Sequence, residues 1–206
     1  MFWYEDEIKG LERKRDAMPD KSGLIFYGSS SFRLWKSLES DLSAYKAINL
    51  GFGGSTLSAC SWFFERVMEG FKPTAIIIYA GDNDLGDGRH PEEVFIFFKQ
   101  LLSQIRIKFG DIPVGFISVK PSFKRWNIIN SISYTNKIIE AEIKKEKGKT
   151  FFINIHSKMA DDAGFPKKDL FQSEGLHINE KGYAIWKKII INQLSLNGIK
   201  TVILPL

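Results

Sequence analysis

Short apolar runs alternate along the chain with longer segments in which apolar residues recur three and four positions apart. The runs cover residues 23–27, 47–50, 75–79, 114–117 and 151–155, and most of their positions are apolar in succession rather than in alternation. That pattern predicts strands covered on both faces. The intervening segments 94–109 and 134–147 have helical spacing, and the polar opening, residues 4–16, also predicts a helix. Strands that alternate with amphipathic helices build βαβ units, hence an α/β fold with a parallel sheet of about five strands and helices on both faces. The right-handed crossovers of such a sheet send every strand's carboxyl end to one edge, where ligands bind. The tail, residues 198–206, is expected as a last short strand or an extended packing segment.

The 206 residues, set against about 150 per domain, fit one domain with long connections, and no repeat, low-complexity tract or Pro/Ser-rich linker divides them. Residues 1–206 are therefore expected to form a single domain. Hydrophobic residues at 44% and charged residues at 26% exclude a disordered, collagen-like or coiled-coil chain. One cysteine, Cys60, excludes an intramolecular disulfide framework and fits a reducing compartment. The opening residues carry mixed charge with no apolar leader, and no run reaches the ~18 apolar residues of a membrane span, so a cytoplasmic protein is expected. The net charge of +5 and the run Lys144-Lys145-Glu146-Lys147-Gly148-Lys149 raise the question of nucleic acid. Acidic interruption and a place at a helix end favour a solvated terminus instead.

Chemistry-bearing residues gather just after the strands. The first is followed by Gly28-Ser29-Ser30-Ser31, with Phe32, Trp35 and Leu38 spaced for a helix face. A serine between a strand and a helix start lies beside free backbone amides, which suits a nucleophile whose substrate becomes an oxyanion, and equally suits a helix cap. The second strand leads to Gly51-Phe52-Gly53-Gly54-Ser55-Thr56, which is neither a dinucleotide fingerprint nor a P-loop. The third leads to Gly81-Asp82-Asn83-Asp84-Leu85-Gly86-Asp87, where Asp82, Asp84 and Asp87 resemble calcium ligands but Gly86 and Asp87 fall where an EF-hand needs a ligand and then its glycine. Glu174 stands three residues before His177 and ahead of a helix, so it can turn back onto one imidazole nitrogen. His90, in a loop before Pro91, and His156 have no comparable neighbour.

Together these segments resemble the SGNH hydrolases, the GDSL esterase and lipase family, named for a serine, a glycine, an asparagine and a histidine in four separate blocks. The blocks here are Gly28-Ser29-Ser30, Gly53-Gly54-Ser55-Thr56, Gly81-Asp82-Asn83-Asp84 and Glu174-Gly175-Leu176-His177, in family order. A subgroup with Gly-Ser-Ser-Ser followed by Arg-x-Trp is especially similar, given Arg33-Leu34-Trp35 and Lys120-Pro121-Ser122 through Arg125-Trp126. The resemblance implies a three-layer α/β/α sandwich with a flavodoxin-like sheet, Ser30 as nucleophile, His177 as general base and Glu174 as third triad member. It places the oxyanion hole at the backbone amides of Ser30 and Gly54 and the side chain of Asn83, with no metal or other cofactor. The family usually has Asp where Ser29 and Glu174 stand, so a hydroxyl must shape the first turn and a longer side chain must reach the histidine.

The expected function is a serine esterase acting on a small carboxylic ester, a short acyl or acetylated carbohydrate, through an acyl-enzyme. The alternatives are a lysophospholipase or thioesterase of the same fold, and a non-catalytic flavodoxin-like ligand-binding module. Arg125 and Trp126 are candidate substrate contacts, with a stacked structural arginine as the other reading of Arg125. The expected partner is a small-molecule ester, with neither nucleic acid nor a membrane span, and the oligomeric state stays open.

Overall fold

The computed structural model describes residues 1–146 and 148–202. Lys147, at the end of one expected helix, and residues 203–206 of the tail lie outside them. Five strands, β1 (Ser22–Gly28), β2 (Ile48–Gly51), β3 (Lys72–Tyr79), β4 (Val114–Ile117) and β5 (Thr150–Ile153), form one sheet in the order β2-β1-β3-β4-β5. Every pairing is parallel. The helices are α1 (Glu5–Ala17), α2 (Ser30–Leu34), α3 (Leu38–Asp41), α4 (Leu57–Val67), α5 (Asp82–Gly86), α6 (Pro91–Phe109), α7 (Ile129–Lys145), α8 (His156–Met159) and α9 (Glu180–Leu196).

Successive side chains of a strand point to opposite faces, so each two-sided apolar run feeds two cores. Ile25, Tyr27, Ile76 and Ile78 pack with residues of α1, α4, α6 and α7, whereas Leu24, Phe26, Ile77 and Tyr79 pack with α2, α3, α8 and α9. The result is the expected three-layer sandwich. An aromatic cluster fills the second core: Trp186 stands edge-on to Tyr79, 4.8 Å between centroids, and Tyr183 stacks on Trp35 at 5.0 Å.

The five expected strands and the long helices all form. One expectation changes: Phe32, Trp35 and Leu38 are all buried, but the chain leaves the helical conformation at Trp35 and restarts as α3. The tail packs rather than pairing as a strand as far as it is described, with Ile199 buried and the Val202 amide donating to the Ala44 carbonyl.

Candidate active site

The break after β1 places Ser30 at the carboxyl edge of the sheet. Ser29 caps α2, its Oγ accepting from the Ser31 amide at 3.1 Å, so a hydroxyl supplies the bond that shapes the turn. Ser30 is the first residue of α2, and with only five residues in that helix the local free amide matters more than the macrodipole. Among the described residues no protein acceptor takes the Ser30 or the Gly54 amide.

His177 comes from the far end of the sequence. The segment before α9 folds back on itself: Phe171 bridges Ile178, and the Gln172 amide donates to the His177 carbonyl at 2.8 Å. Glu174 Oε1 accepts from the His177 backbone amide at 2.8 Å and lies 2.7 Å from its Nδ1, while Nε2 lies 3.3 Å from Ser30 Oγ across 147 residues of sequence. The extra methylene of glutamate is absorbed in this turn. Burial works against the charge of Glu174, but the bonds it accepts from the backbone and ring of His177 outweigh that and hold its carboxyl below the ordinary value. Tyr183 of α9 donates to the Ser31 carbonyl at 2.8 Å, tying the helix behind the histidine to the helix of the serine.

Asn83 lies in the first turn of α5, its Nδ2 donating to the Ser55 carbonyl at 3.1 Å; one N–H is thereby fixed and the other has no acceptor among the described residues. Its neighbours hold α5 in place. Asp84 accepts from the Leu57 amide at 2.9 Å, the N-terminus of α4. Asp82 pairs with the buried Lys120 at 2.8 Å, and Lys120 also donates to the Tyr79 hydroxyl at 3.3 Å. Burial alone would raise the Asp82 carboxyl and lower the Lys120 ammonium; their attraction outweighs it and keeps both charged. The carboxylates that superficially suggest a calcium loop are thus turned toward an ammonium and an amide.

Arg125 and Trp126 follow β4 in the turn Phe123–Ile128, anchored by the Lys124 amide on the Gly175 carbonyl at 3.1 Å. The Arg125 guanidinium lies where a side chain at Gly86 would project, so a larger residue there would have to displace it. Gly86 follows Asn83 by three residues on α5, so Arg125 covers the same side of that helix about one turn away. Arg125 makes no ion pair with a described residue, and its buried Nε has no acceptor. Trp126 stacks not on Arg125 but on Phe165, 4.5 Å between centroids. Of the remaining histidines, His90 caps α6 and His156 is partly buried away from Ser30, its pKa pushed down by burial.

Tyr4, Glu7 and Lys120 support this site through contacts that the sequence does not show. Tyr4 donates to the Gly54 carbonyl at 3.0 Å, and Glu7 accepts from the Gly53 amide at 3.1 Å. These contacts span 50 and 46 residues, and no local motif announces them. Among the described residues no helix is long and apolar enough to cross a membrane, and no group of His, Cys, Asp and Glu is placed to hold a metal ion.

Solved structures of the same fold are numerous. A Streptococcus pneumonia protein provisionally described as a platelet activating factor superposes with a TM-score of 0.82 at 17% identity, covering 92% of each chain. A GDSL-like lipase from Bacteroides thetaiotaomicron gives 0.77 at 20% identity over 92% of this chain and 97% of its own. A carbohydrate esterase family 3 protein from Talaromyces cellulolyticus gives 0.65 at 16% identity over 84% and 97%. No protein of curated function matches the chain in sequence. The profile of the GDSL-like Lipase/Acylhydrolase family matches residues 24–185. With all four motif blocks inside that span, the chain belongs to the GDSL-like lipase/acylhydrolase family.

Proposed function

We propose that the chain is a serine esterase that hydrolyses a small carboxylic ester, with a short acyl group or an acetylated carbohydrate as substrate. The observation that carries this reading is the line of contacts from Ser30 Oγ to His177 Nε2 and from His177 Nδ1 to Glu174, at 3.3 and 2.7 Å. A serine hydroxyl is a weak nucleophile until a base takes its proton, and such bonds are commonly long before substrate binds. Ser30 attacks the ester carbonyl as His177 accepts its proton, and Glu174 stabilises the imidazolium. The amides of Ser30 and Gly54 and the Asn83 side chain receive the oxyanion. His177 returns the proton to the leaving alkoxide, giving an acyl-enzyme on Ser30, and a water activated by the same histidine then releases the acid. The fold likeness to a carbohydrate esterase accords with an acetylated sugar. Arg125, which makes no ion pair with a described residue although its charge reaches Asp82, is read as a contact for an acidic substrate group, beside Trp126.

Hydrolysis of p-nitrophenyl esters of increasing acyl length tests the reading. Wild type is expected to prefer acetate, with Ser30→Ala slower by at least roughly 10³-fold. A fluorophosphonate is expected to label Ser30 and to spare Ser29 and Ser31. Equal rates in both proteins would remove Ser30 from the chemistry, and a rate maximum at long acyl chains would favour the lysophospholipase alternative.

A further inference from the structure

Residues 1–23 precede the family match at 24–185, yet they reach the glycine loop after β2. Tyr4 stands immediately before α1 and Glu7 lies in its first turn. The peptide that joins Gly53 to Gly54 carries the amide assigned to the oxyanion hole. On one side of it the Gly53 amide donates to Glu7 Oε2 at 3.1 Å; on the other the Gly54 carbonyl accepts from the Tyr4 hydroxyl at 3.0 Å. The other oxygen of Glu7 accepts from Arg33 Nη1 at 3.0 Å, and Arg33 sits on α2 three residues after Ser30. One carboxylate therefore contacts both the backbone of the glycine loop and a side chain of the helix that Ser30 opens.

We propose that Tyr4 and Glu7 are positioning residues that hold the Gly53–Gly54 peptide with its amide aimed at the oxyanion, an inference that rests on the esterase reading above. The need for such a device is physical. Gly54 has a φ of +64° and is exposed, and two adjacent glycines can reorient the peptide between them at little cost. Hydrogen-bond donors stabilise a transition state to the extent that they are fixed before the charge develops. Asn83 already ties the next carbonyl, that of Ser55, and Tyr4 and Glu7 fix the loop on the other flank. Removal of either contact leaves the loop to water. The Tyr4 ring itself is held independently, edge-on to Phe52 and Phe63 with centroids 5.7 and 6.1 Å away.

Tyr4→Phe deletes the hydroxyl and keeps the ring; Glu7→Ala deletes the acceptor, and Glu7→Gln restores a neutral one. With p-nitrophenyl acetate, Tyr4→Phe and Glu7→Ala are expected to lower kcat by about 10-fold, a fraction of what loss of a whole oxyanion donor costs. KM is expected to change less than about twofold, as it should when only transition-state stabilisation is lost, and Glu7→Gln to recover most of kcat. Amide hydrogen exchange of the segment containing Gly53–Ser55, read on the same proteins without substrate, is expected to quicken in Tyr4→Phe and Glu7→Ala. Unchanged exchange in both variants overturns the proposal, as does quickened exchange with wild-type kcat. A wild type that neither turns over esters nor reacts with a fluorophosphonate overturns the esterase reading alone, and the exchange measurement still decides whether Tyr4 and Glu7 hold the loop.

Discussion

In the proposed esterase, Glu174 and Asn83 would each act through a single polar group. Glu174 is half-exposed, so its worth lies in fixing the imidazole rather than in stability. Glu174→Gln keeps an acceptor for the His177 amide but can turn an NH₂ toward Nδ1, favouring the wrong tautomer. The expected outcome is a fall in kcat/KM at neutral pH of up to roughly 10⁴-fold, as for other triads whose acid is neutralised, with a thermal midpoint close to wild type. An unchanged kcat/KM would show that another group orients His177. Asn83→Ala removes a whole donor and is expected to add roughly 2.7–4 kcal/mol to the barrier, read in kcat of the purified variant.

Helix α5 is joined to α4 by a carboxylate that is costly to keep charged. Burial pushes the Asp84 carboxyl from the ordinary aspartate value of 3.8 up to about 6, only partly offset by the Leu57 amide it accepts from. Among the described residues its Oδ1 has no partner. The folded state thus holds the Asp84 proton more tightly than the unfolded chain does. Its contribution to stability is full below pH 3.8 and is lost as pH rises through 6. The difference is on the order of 3 kcal/mol. Asp84→Asn keeps an acceptor for Leu57 without the ionisation, and is expected to gain stability over wild type at pH 8 but not at pH 4, as urea denaturation at both values would show. An equal shift at both values would mean that Asp84 does not titrate in this range.

The elements that hold the site were unequally legible in the sequence. The strands were plain, because a run covered on both faces is apolar throughout, and Ser30, Asn83, Glu174 and His177 each sit in a compact local motif. The break at Trp35 was not, since its side chain keeps helical spacing while its backbone leaves the helix. The support from Tyr4 and Glu7 was hidden in a segment that reads as an ordinary polar helix.

At the scale of the whole molecule, the +5 net charge says little about what holds the site together. Among the described residues most ion pairs are exposed and worth little individually; Lys120 with Asp82 is buried, with side chains 1% and 7% exposed. Lys120 follows β4, Asp82 opens α5, and Tyr79, which accepts from Lys120, ends β3. The pair therefore joins two neighbouring strand ends beneath Asn83. A lysine in Lys120-Pro121-Ser122 looks like a surface residue in sequence, and only the third dimension buries it. Removal of one charge of such a pair strands the other, at a typical cost of about 3–5 kcal/mol, whereas removal of both is often nearly neutral. Lys120→Met is accordingly expected to lose stability in that range, and Lys120→Met/Asp82→Asn to recover most of it, measured as urea midpoints at pH 7. Equal losses in the single and double variants would mean that the lysine stem, rather than its charge, fills this position.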